Sequence, residues 1–318
     1  MVFDSISYVI PVFNEELNIR NTIYKIKDAF NQNDIKDFEI IFIDDGSTDK
    51  SVEIIKTFIE EGDPIKCICL TRNFGHQEAL TAGLSNAKSD LIAVLDGDLQ
   101  DPPTVINEFI KAAKNGYDVI YGVRRKRKEI FYKKIAYGVF YKLLATLSKI
   151  EIPLDSGDFC LMTKKALEIL NELPEQNRFI RGLRSYIGLK QIGIKYERDA
   201  RSAGEPKYTF RKLLRLASDG IFNFSDRPLK LSSTFGLTMS MLSALMMVAL
   251  LIQRIFSINI LGYSPNDIPG YTSIIISVFF VSGVQLFALG IMGEYISRIF
   301  LETKNRPSYL IREIISKN

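Results

Sequence analysis

Apolar and polar residues alternate in blocks over the first 125 positions. Short β-branched and aliphatic runs at 7–13, 38–43, 65–70, 91–95 and 118–123 are separated by stretches with helical spacing of their apolar residues. Strands interleaved with covering helices predict an α/β domain built on a parallel sheet. Polar residues collect just after each run. Asn14-Glu15 follow the first, Asp44-Asp45-Gly46 the second, Thr71-Arg72-Asn73 the third and Asp96-Gly97-Asp98 the fourth. Open α/β sheets bind ligands beyond the carboxyl ends of their strands, so the site is expected there.

From about 129 to 150 the period turns helical. Phe131, Ile135, Val139, Leu143, Leu147 and Ile150 recur at three- and four-residue steps, with Lys133, Lys134, Lys142 and Lys149 elsewhere. A second such stretch, about 208 to 226, sets Phe210, Leu213, Leu214, Ala217, Ile221 and Phe224 against Arg211, Lys212 and Arg215. Two readings stand: amphipathic helices packed on the sheet, or helices lying in a membrane interface with their basic faces outward. The second stretch runs directly into a long apolar segment, which favours the interface. Residues 229–256 and 273–300 are each long enough to cross about 30 Å of hydrocarbon. They carry charge only toward their ends, as at Arg254 and Glu294. The expected organisation is a catalytic domain at 1–228, two membrane spans within 229–300 and a basic tail at 301–318.

Charge and cysteine usage refine this picture. Lys and Arg outnumber Asp and Glu by 41 to 37. Arg124, Arg125, Lys126, Arg127, Lys128, Lys133 and Lys134 form a dense basic cluster with one acid, Glu129. Such a cluster serves nucleic acid or an anionic membrane surface, and two spans nearby select the membrane. The loop 257–272 has no Lys or Arg, whereas both flanks of the apolar region are basic, so both termini are expected in the cytoplasm and the loop outside. No basic region followed by an apolar core and a cleavage site opens the chain, so no signal peptide is expected. Cys67, Cys69 and Cys160 form no even framework; Cys67 and Cys69 read as strand residues in a reducing compartment. Small residues in the second span (Ser282, Gly283, Ala288, Gly290, Gly293) would permit close packing in a homo-oligomer.

Asp96-Gly97-Asp98 carries the central chemistry. Two carboxylates two residues apart at a strand end can converge on one hard divalent cation, Mg²⁺ or Mn²⁺, which keeps several waters and bridges substrate phosphates. Gly97 allows close backbone approach, and Gln100 offers a neutral oxygen. An Asp-x-Asp alone also arises as a simple turn. In Asp44-Asp45-Gly46-Ser47-Thr48-Asp49, Ser47 or Thr48 is expected to cap a helix with Asp49 in its first turn, while another acid meets a base or ribose. His76, the sole histidine, is expected at a helix start after Gly75.

The motifs at the strand ends, Val9-Ile10-Pro11-Val12-Phe13-Asn14-Glu15, Asp44 to Asp49, Arg72-Asn73-Phe74-Gly75-His76-Gln77 and Asp96-Gly97-Asp98-Leu99-Gln100-Asp101-Pro102, occur in the order seen in family 2 glycosyltransferases. The chain resembles their polyprenyl-phosphate group, which includes dolichyl-phosphate mannose synthases and bacterial GtrB-like undecaprenyl-phosphate glucosyltransferases. Ser156-Gly157-Asp158-Phe159, Arg201-Ser202-Ala203-Gly204-Glu205-Pro206-Lys207-Tyr208 and Gly293-Glu294-Tyr295 with Arg306-Pro307 extend the likeness to nearly the full length. Pro206 stands where relatives often carry Ser.

The resemblance implies a GT-A fold and an integral protein of the bacterial cytoplasmic membrane. It implies a nucleotide pocket lined by Pro11, Asn14, Glu15, Asp44, Asp45 and Arg72. Asp96 would meet ribose or metal, and Asp98 and Gln100 would hold the metal on the diphosphate. Asp158 would be the general base. Arg124 or Arg127, Arg201 and Lys207 would meet phosphates. The reaction implied is inverting transfer of a hexose, glucose from UDP-glucose, to undecaprenyl phosphate. A diphosphate leaving group calls for a metal and cationic side chains, whereas a phosphate acceptor is already an anion and needs positioning more than deprotonation. The rivals are another donor (GDP-mannose or a UDP-amino sugar) on the same lipid, and a non-catalytic scaffold or lipid-translocation subunit. Intact Asp96, Asp98, Gln100 and Asp158 weigh against the scaffold. No GxGxxG follows the first strand, which weighs against a nicotinamide site.

Overall fold

The structure is a computed structural model that describes residues 1–124, 156–176, 178–197, 227–256 and 270–317. Both amphipathic stretches, most of the 257–272 loop, and Arg127, Arg201 and Lys207 lie outside the described residues. The chain divides into two units, Met1–Asn223 with Asn305–Asn318, and Phe224–Lys304.

The first unit is α/β. Its elements run β1 (Ser5–Val12), α1 (Ile19–Phe30), β2 (Asp37–Asp44), α2 (Ser51–Glu60), β3 (Ile65–Leu70), α3 (His76–Asn86), β4 (Leu91–Val94), a 3₁₀ turn at Pro103–Val105, α4 (Ile106–Lys114) and β5 (Val119–Arg124). They continue with β6 (Ser156–Thr163), α5 (Lys164–Glu172), α6 (Ile180–Tyr186), β7 (Gln191–Tyr196) and finally β8 (Ile311–Ser316). One sheet takes the order β7-β5-β6-β4-β1-β2-β3-β8. β1, β2, β3 and β4 pair in parallel, as does β5 with β7. β6 runs antiparallel to both β4 and β5, and β8 antiparallel to β3. The mainly parallel sheet expected from the blocked pattern is thus present, and two reversed strands modify it.

Burial explains the run lengths. Ile6, Tyr8, Val9 and Ile10 of β1 and Ile40, Ile41, Phe42 and Ile43 of β2 are all fully buried, as central strands covered on both faces must be. Ile19, Ile23, Ile26 and Ala29 line one stripe of α1, and Ile106, Phe109, Ile110 and Ala113 one stripe of α4; both stripes face the core. Gly83 lets α3 lie directly on the sheet, since a Cβ there would stand 2.5 Å from Val9 Cγ1 and 2.6 Å from Ile43 Cδ1. Cys67 and Cys69 are buried strand residues, as expected. Residues 311–316, read from the sequence only as part of a basic tail, form an edge strand, with Ile68 opposite Ile314.

The second unit holds two long helices, α7 (Arg227–Ile255) and α8 (Gly270–Thr303). Many large apolar side chains on them are exposed, among them Leu245, Ile252, Leu286 and Leu289. Two membrane spans were expected. Among the described residues one stretch, Phe280–Thr303, has the length and mean hydropathy (1.3) to cross a membrane.

Candidate active site

The ends of β1, β2 and β3 form the first part of the site. Asn14 follows β1 with φ 53°, and its Oδ1 accepts from Thr48 N at 2.8 Å while its own N donates to Ser47 Oγ at 2.9 Å. Glu15 N donates to Ser51 Oγ at 3.0 Å, and Glu15 Oε2 accepts from Asn18 Nδ2 at 2.7 Å. These bonds join the loop after β1 to the loop after β2. They also revise the capping expectation: Ser47 and Thr48 serve Asn14, and α2 starts at Ser51, whose N donates to Asp49 Oδ1 at 3.0 Å.

The paired acids at the end of β2 divide their work. Asp45 accepts from Phe74 N (2.7 Å) and Gly75 N (3.0 Å), clasping the turn into α3; burial raises its carboxyl above the ordinary range despite those two donors. Gly46 (φ 77°) passes so close to that turn that a Cβ would lie 2.8 Å from Arg72 C and Asn73 N. Asp44 is buried. Its Oδ1 accepts from Ser47 N at 3.0 Å, and its Oδ2 has no hydrogen-bond partner among the described residues. A buried carboxylate oxygen without a donor is costly in a folded protein, and an incoming N–H or hydroxyl would relieve it. Arg72 stacks its guanidinium 4.0 Å from the Phe74 ring centroid.

Past β4 the chain turns tightly. A Cβ on Gly97 would meet Pro11 O at 3.2 Å and Val12 Cγ1 at 3.3 Å, so this glycine lets the Asp96–Asp98 turn lie against the end of β1. Leu99 is buried with φ 57°, and Asp98 Oδ1 accepts from Gln100 N at 3.2 Å. Asp101 is buried behind the turn. Its Oδ1 accepts from the Tyr196 hydroxyl at 2.5 Å, and Arg124 Nη2 lies 3.7 Å from its Oδ2. Arg124 Nε also donates to the Tyr196 hydroxyl at 3.4 Å. Arg124, expected at a phosphate, is thus engaged with Asp101 and Tyr196.

Reversal of β6 brings Asp158 to the same place. Because β6 runs antiparallel to β4, with Cys160 opposite Val94, its first residues lie beside the carboxyl end of β4. Asp158 Oδ2 stands 3.3 Å from His76 Nε2, and Asp158 Oδ1 3.5 Å from Arg181 Nη2. His76 Nε2 is also 3.8 Å from Asp96 Oδ1, so the imidazole bridges the two acids. Burial opposes the charge on Asp158, but Arg181 and the His76 hydrogen bond outweigh it and hold the carboxyl well below the usual range. Burial, reinforced by Asp101, Asp158 and Asp98, pushes Asp96 up to about 6 against the pull of His76. His76 is itself raised to about 9: burial works against its charge, and Asp158 and Asp96 prevail.

The fold therefore gathers Pro11, Asn14, Asp44, Asp45, Arg72, Asp96, Asp98, Gln100 and Asp158 at one sheet edge, with Glu15 in the β1 loop. His76 starts α3 as expected. Sequence reading missed Arg181 and Arg184 of α6. Their three-residue spacing was visible, but nothing in the sequence linked it to Asp158.

Comparison with known proteins places the chain in a family. Residues 7–170 match the model of glycosyl transferase family 2. An uncharacterised glycosyltransferase, YkcC of Bacillus subtilis, is 44% identical over 96% of this chain and 93% of its own. A bactoprenol glucosyl transferase of Shigella phage SfX is 38% identical over 96% and 98% respectively. Among solved structures, glucosyl-3-phosphoglycerate synthase from Mycobacterium tuberculosis is similar at 20% identity, covering 69% of this chain and 78% of that one with a TM-score of 0.45. From its strand-end motifs, its mainly parallel sheet and its full-length likeness to these relatives, the chain belongs to glycosyltransferase family 2 and is a glycosyltransferase.

Proposed function

We propose that the protein moves glucose from UDP-glucose, with inversion, onto a polyprenyl phosphate such as undecaprenyl phosphate at the cytoplasmic face of a bacterial membrane. The observation that carries this reading is a full-length match to bactoprenol glucosyl transferases in a chain that keeps Asp44, Asp96, Asp98 and Asp158 together. Asp44 Oδ2, buried and unpartnered among the described residues, suits an N–H of a nucleobase or a ribose hydroxyl. Asn14 and Glu15 hold the loops around that pocket. Asp158 positions: a phosphate acceptor has no proton to lose at its attacking oxygen, so an ionised carboxylate here orients cations.

The residues present fit a divalent cation shared with substrate. Among the described residues no three His, Cys, Asp or Glu side chains form a complete ligand group. Asp96 and Asp98 with Gln100 make the partial oxygen set that Mg²⁺ or Mn²⁺ accepts when phosphates and waters complete its shell. Such an ion supplies charge compensation for the departing diphosphate.

Membrane insertion through two spans is part of the proposal, and β8 supports it. β8 pairs with β3 of the sheet that precedes α7, which suits an apolar unit whose two flanks lie on one side of the membrane. With α8 as one span, α7 is the proposed partner span that returns the chain. Its 29 residues reach about 43 Å at 1.5 Å each, ample for the hydrocarbon core.

The test is incubation of the purified protein and undecaprenyl phosphate with UDP-glucose, GDP-mannose and UDP-amino sugars, with mass spectrometry of the lipid. Glucosyl-phosphoryl lipid from UDP-glucose is expected. Product from another donor alone reassigns the sugar, and no lipid product from any donor rejects the acceptor.

A further inference from the structure

The sheet order gives the Asp96–Asp98 turn two sides. On one side stand β1, β2 and β3 with Asp44; on the other stands β6, which opens on Asp158 and carries α6 packed against it. Arg181 of α6 reaches Asp158 Oδ1 with one Nη at 3.5 Å, while its Nε is buried without a hydrogen-bond partner among the described residues. Arg184, three residues on and so on the same helical face, is 1% exposed. It donates to Gly157 O at 3.3 Å and lies 5.4 Å from the Tyr121 ring centroid, and its Nε and Nη1 have no hydrogen-bond partner among the described residues. Gln77 ties the group together: its Oε1 accepts from Ile180 N at 2.9 Å, and its Nε2 lies 3.5 Å from Asp158 Oδ2. One carboxylate cannot satisfy ten guanidinium N–H donors; Arg184 is buried, the Arg181 side chain is 22% exposed with its Nε buried, and such cations with unused buried donors suit a further anion.

We propose that Arg181 is an acceptor-binding residue, a guanidinium aimed by Asp158 that takes an oxygen of the acceptor's phosphate on the β6 side of Asp96. This rests on the transferase reading above. Inverting displacement needs the acceptor on the face of the sugar opposite the diphosphate. The nucleotide pocket lies over β1 to β3, which leaves the β6 side for the acceptor. There the acceptor's phosphate oxygen forms the bond to the anomeric carbon as that carbon's bond to the diphosphate breaks, the electron pair leaving with the nucleotide. No proton moves, and the task left for α6 is holding the incoming anion. Arg184, deeper in the fold, is a positioning residue that fixes Gly157 and through it Asp158.

The experiment uses full-length protein in detergent or liposomes with the donor that the parent turns over, held at saturation, and a short-chain polyprenyl phosphate varied. Arg181→Ala is expected to lower kcat/KM for the lipid about tenfold or more, as loss of a charge-assisted hydrogen bond to an anion does. Arg181→Lys should recover part of it. Nucleotide affinity by calorimetry should stay at the parental value. Inorganic phosphate should compete with lipid in the parent and much less in Arg181→Ala. Should the alanine variant not fold, Arg181→Lys and Arg181→Gln carry the same comparison. Unchanged lipid kinetics overturn the proposal. So does a parallel loss of nucleotide affinity, which places Arg181 on the donor side or in the scaffold, and so does equal inhibition of parent and variant by phosphate. Failure of the transferase reading shows separately, as a parent that binds nucleotide and glycosylates no polyprenyl phosphate; the proposal then falls with it.

Discussion

Asp44 and Asp98 make different demands on the donor, and single substitutions separate them. Asp44 is buried with one oxygen committed to Ser47 N and the other without a partner among the described residues. Asp44→Asn keeps an oxygen for Ser47 and replaces the second acceptor by an N–H₂, so UDP affinity should fall about tenfold or more while the fold melts normally. Titration calorimetry checks this, and parental affinity would remove Asp44 from the nucleotide pocket. Asp98 lies on the exit of β4, and its proposed role is charge compensation on the diphosphate. Asp98→Asn should reduce turnover by about a hundredfold or more. Excess EDTA should silence the parent protein and added Mg²⁺ or Mn²⁺ should restore it. Full turnover in EDTA would end the metal assignment.

At the scale of elements, the close seating of α3 on β1 and β2 sets the position of His76. Gly83 has no room for a methyl group beside Val9 and Ile43. Gly83→Ala should push α3 outward and destabilise the unit by about 1–3 kcal/mol, read as a drop of several degrees in Tm. It should also lower turnover more than UDP affinity, because His76 and Gln77 at the start of α3 meet Asp158, whereas Asp44 is held by Ser47 N in the loop after β2. Differential scanning calorimetry with UDP titration checks both halves. A variant as stable as the parent would show that the side chains of Val9 and Ile43 give way without cost.

For the whole molecule, the return of the chain to its own sheet is the governing fact. β8 follows α8 and pairs with β3, more than two hundred residues earlier, and the proposed topology therefore has the apolar unit begin and end on the same side of the membrane. A cysteine placed within 257–272 should therefore react with an impermeant maleimide added outside intact cells, and one at position 317 only after permeabilisation. The uncharged loop and the basic flanks motivate the same orientation. Labelling at 317 from outside would break the pairing of β8 with β3, or the orientation, or both.

The residue pattern alone defines the first five strands and points to the carboxyl edge of the sheet as the candidate site. Long β-branched runs have only one way to be buried between helices, and the polar residues after them had to collect at the carboxyl edge. The composition of the Asp96–Asp98 turn and the helix start at His76 were readable for the same local reason. Tertiary structure decided what depends on pairing between distant segments. β6 carries Asp158 to the end of β4 only because it runs backwards, and no residue within Ser156–Thr163 encodes that direction. β8 is six residues without a strict alternation, and its place follows from the open edge of β3 that it covers. Arg181 and Arg184 were two arginines on a short helix until the fold set Asp158 beside them. A charge acquires its function from the charge it faces, and that neighbour lies 23 residues away for Arg181 and 82 for His76.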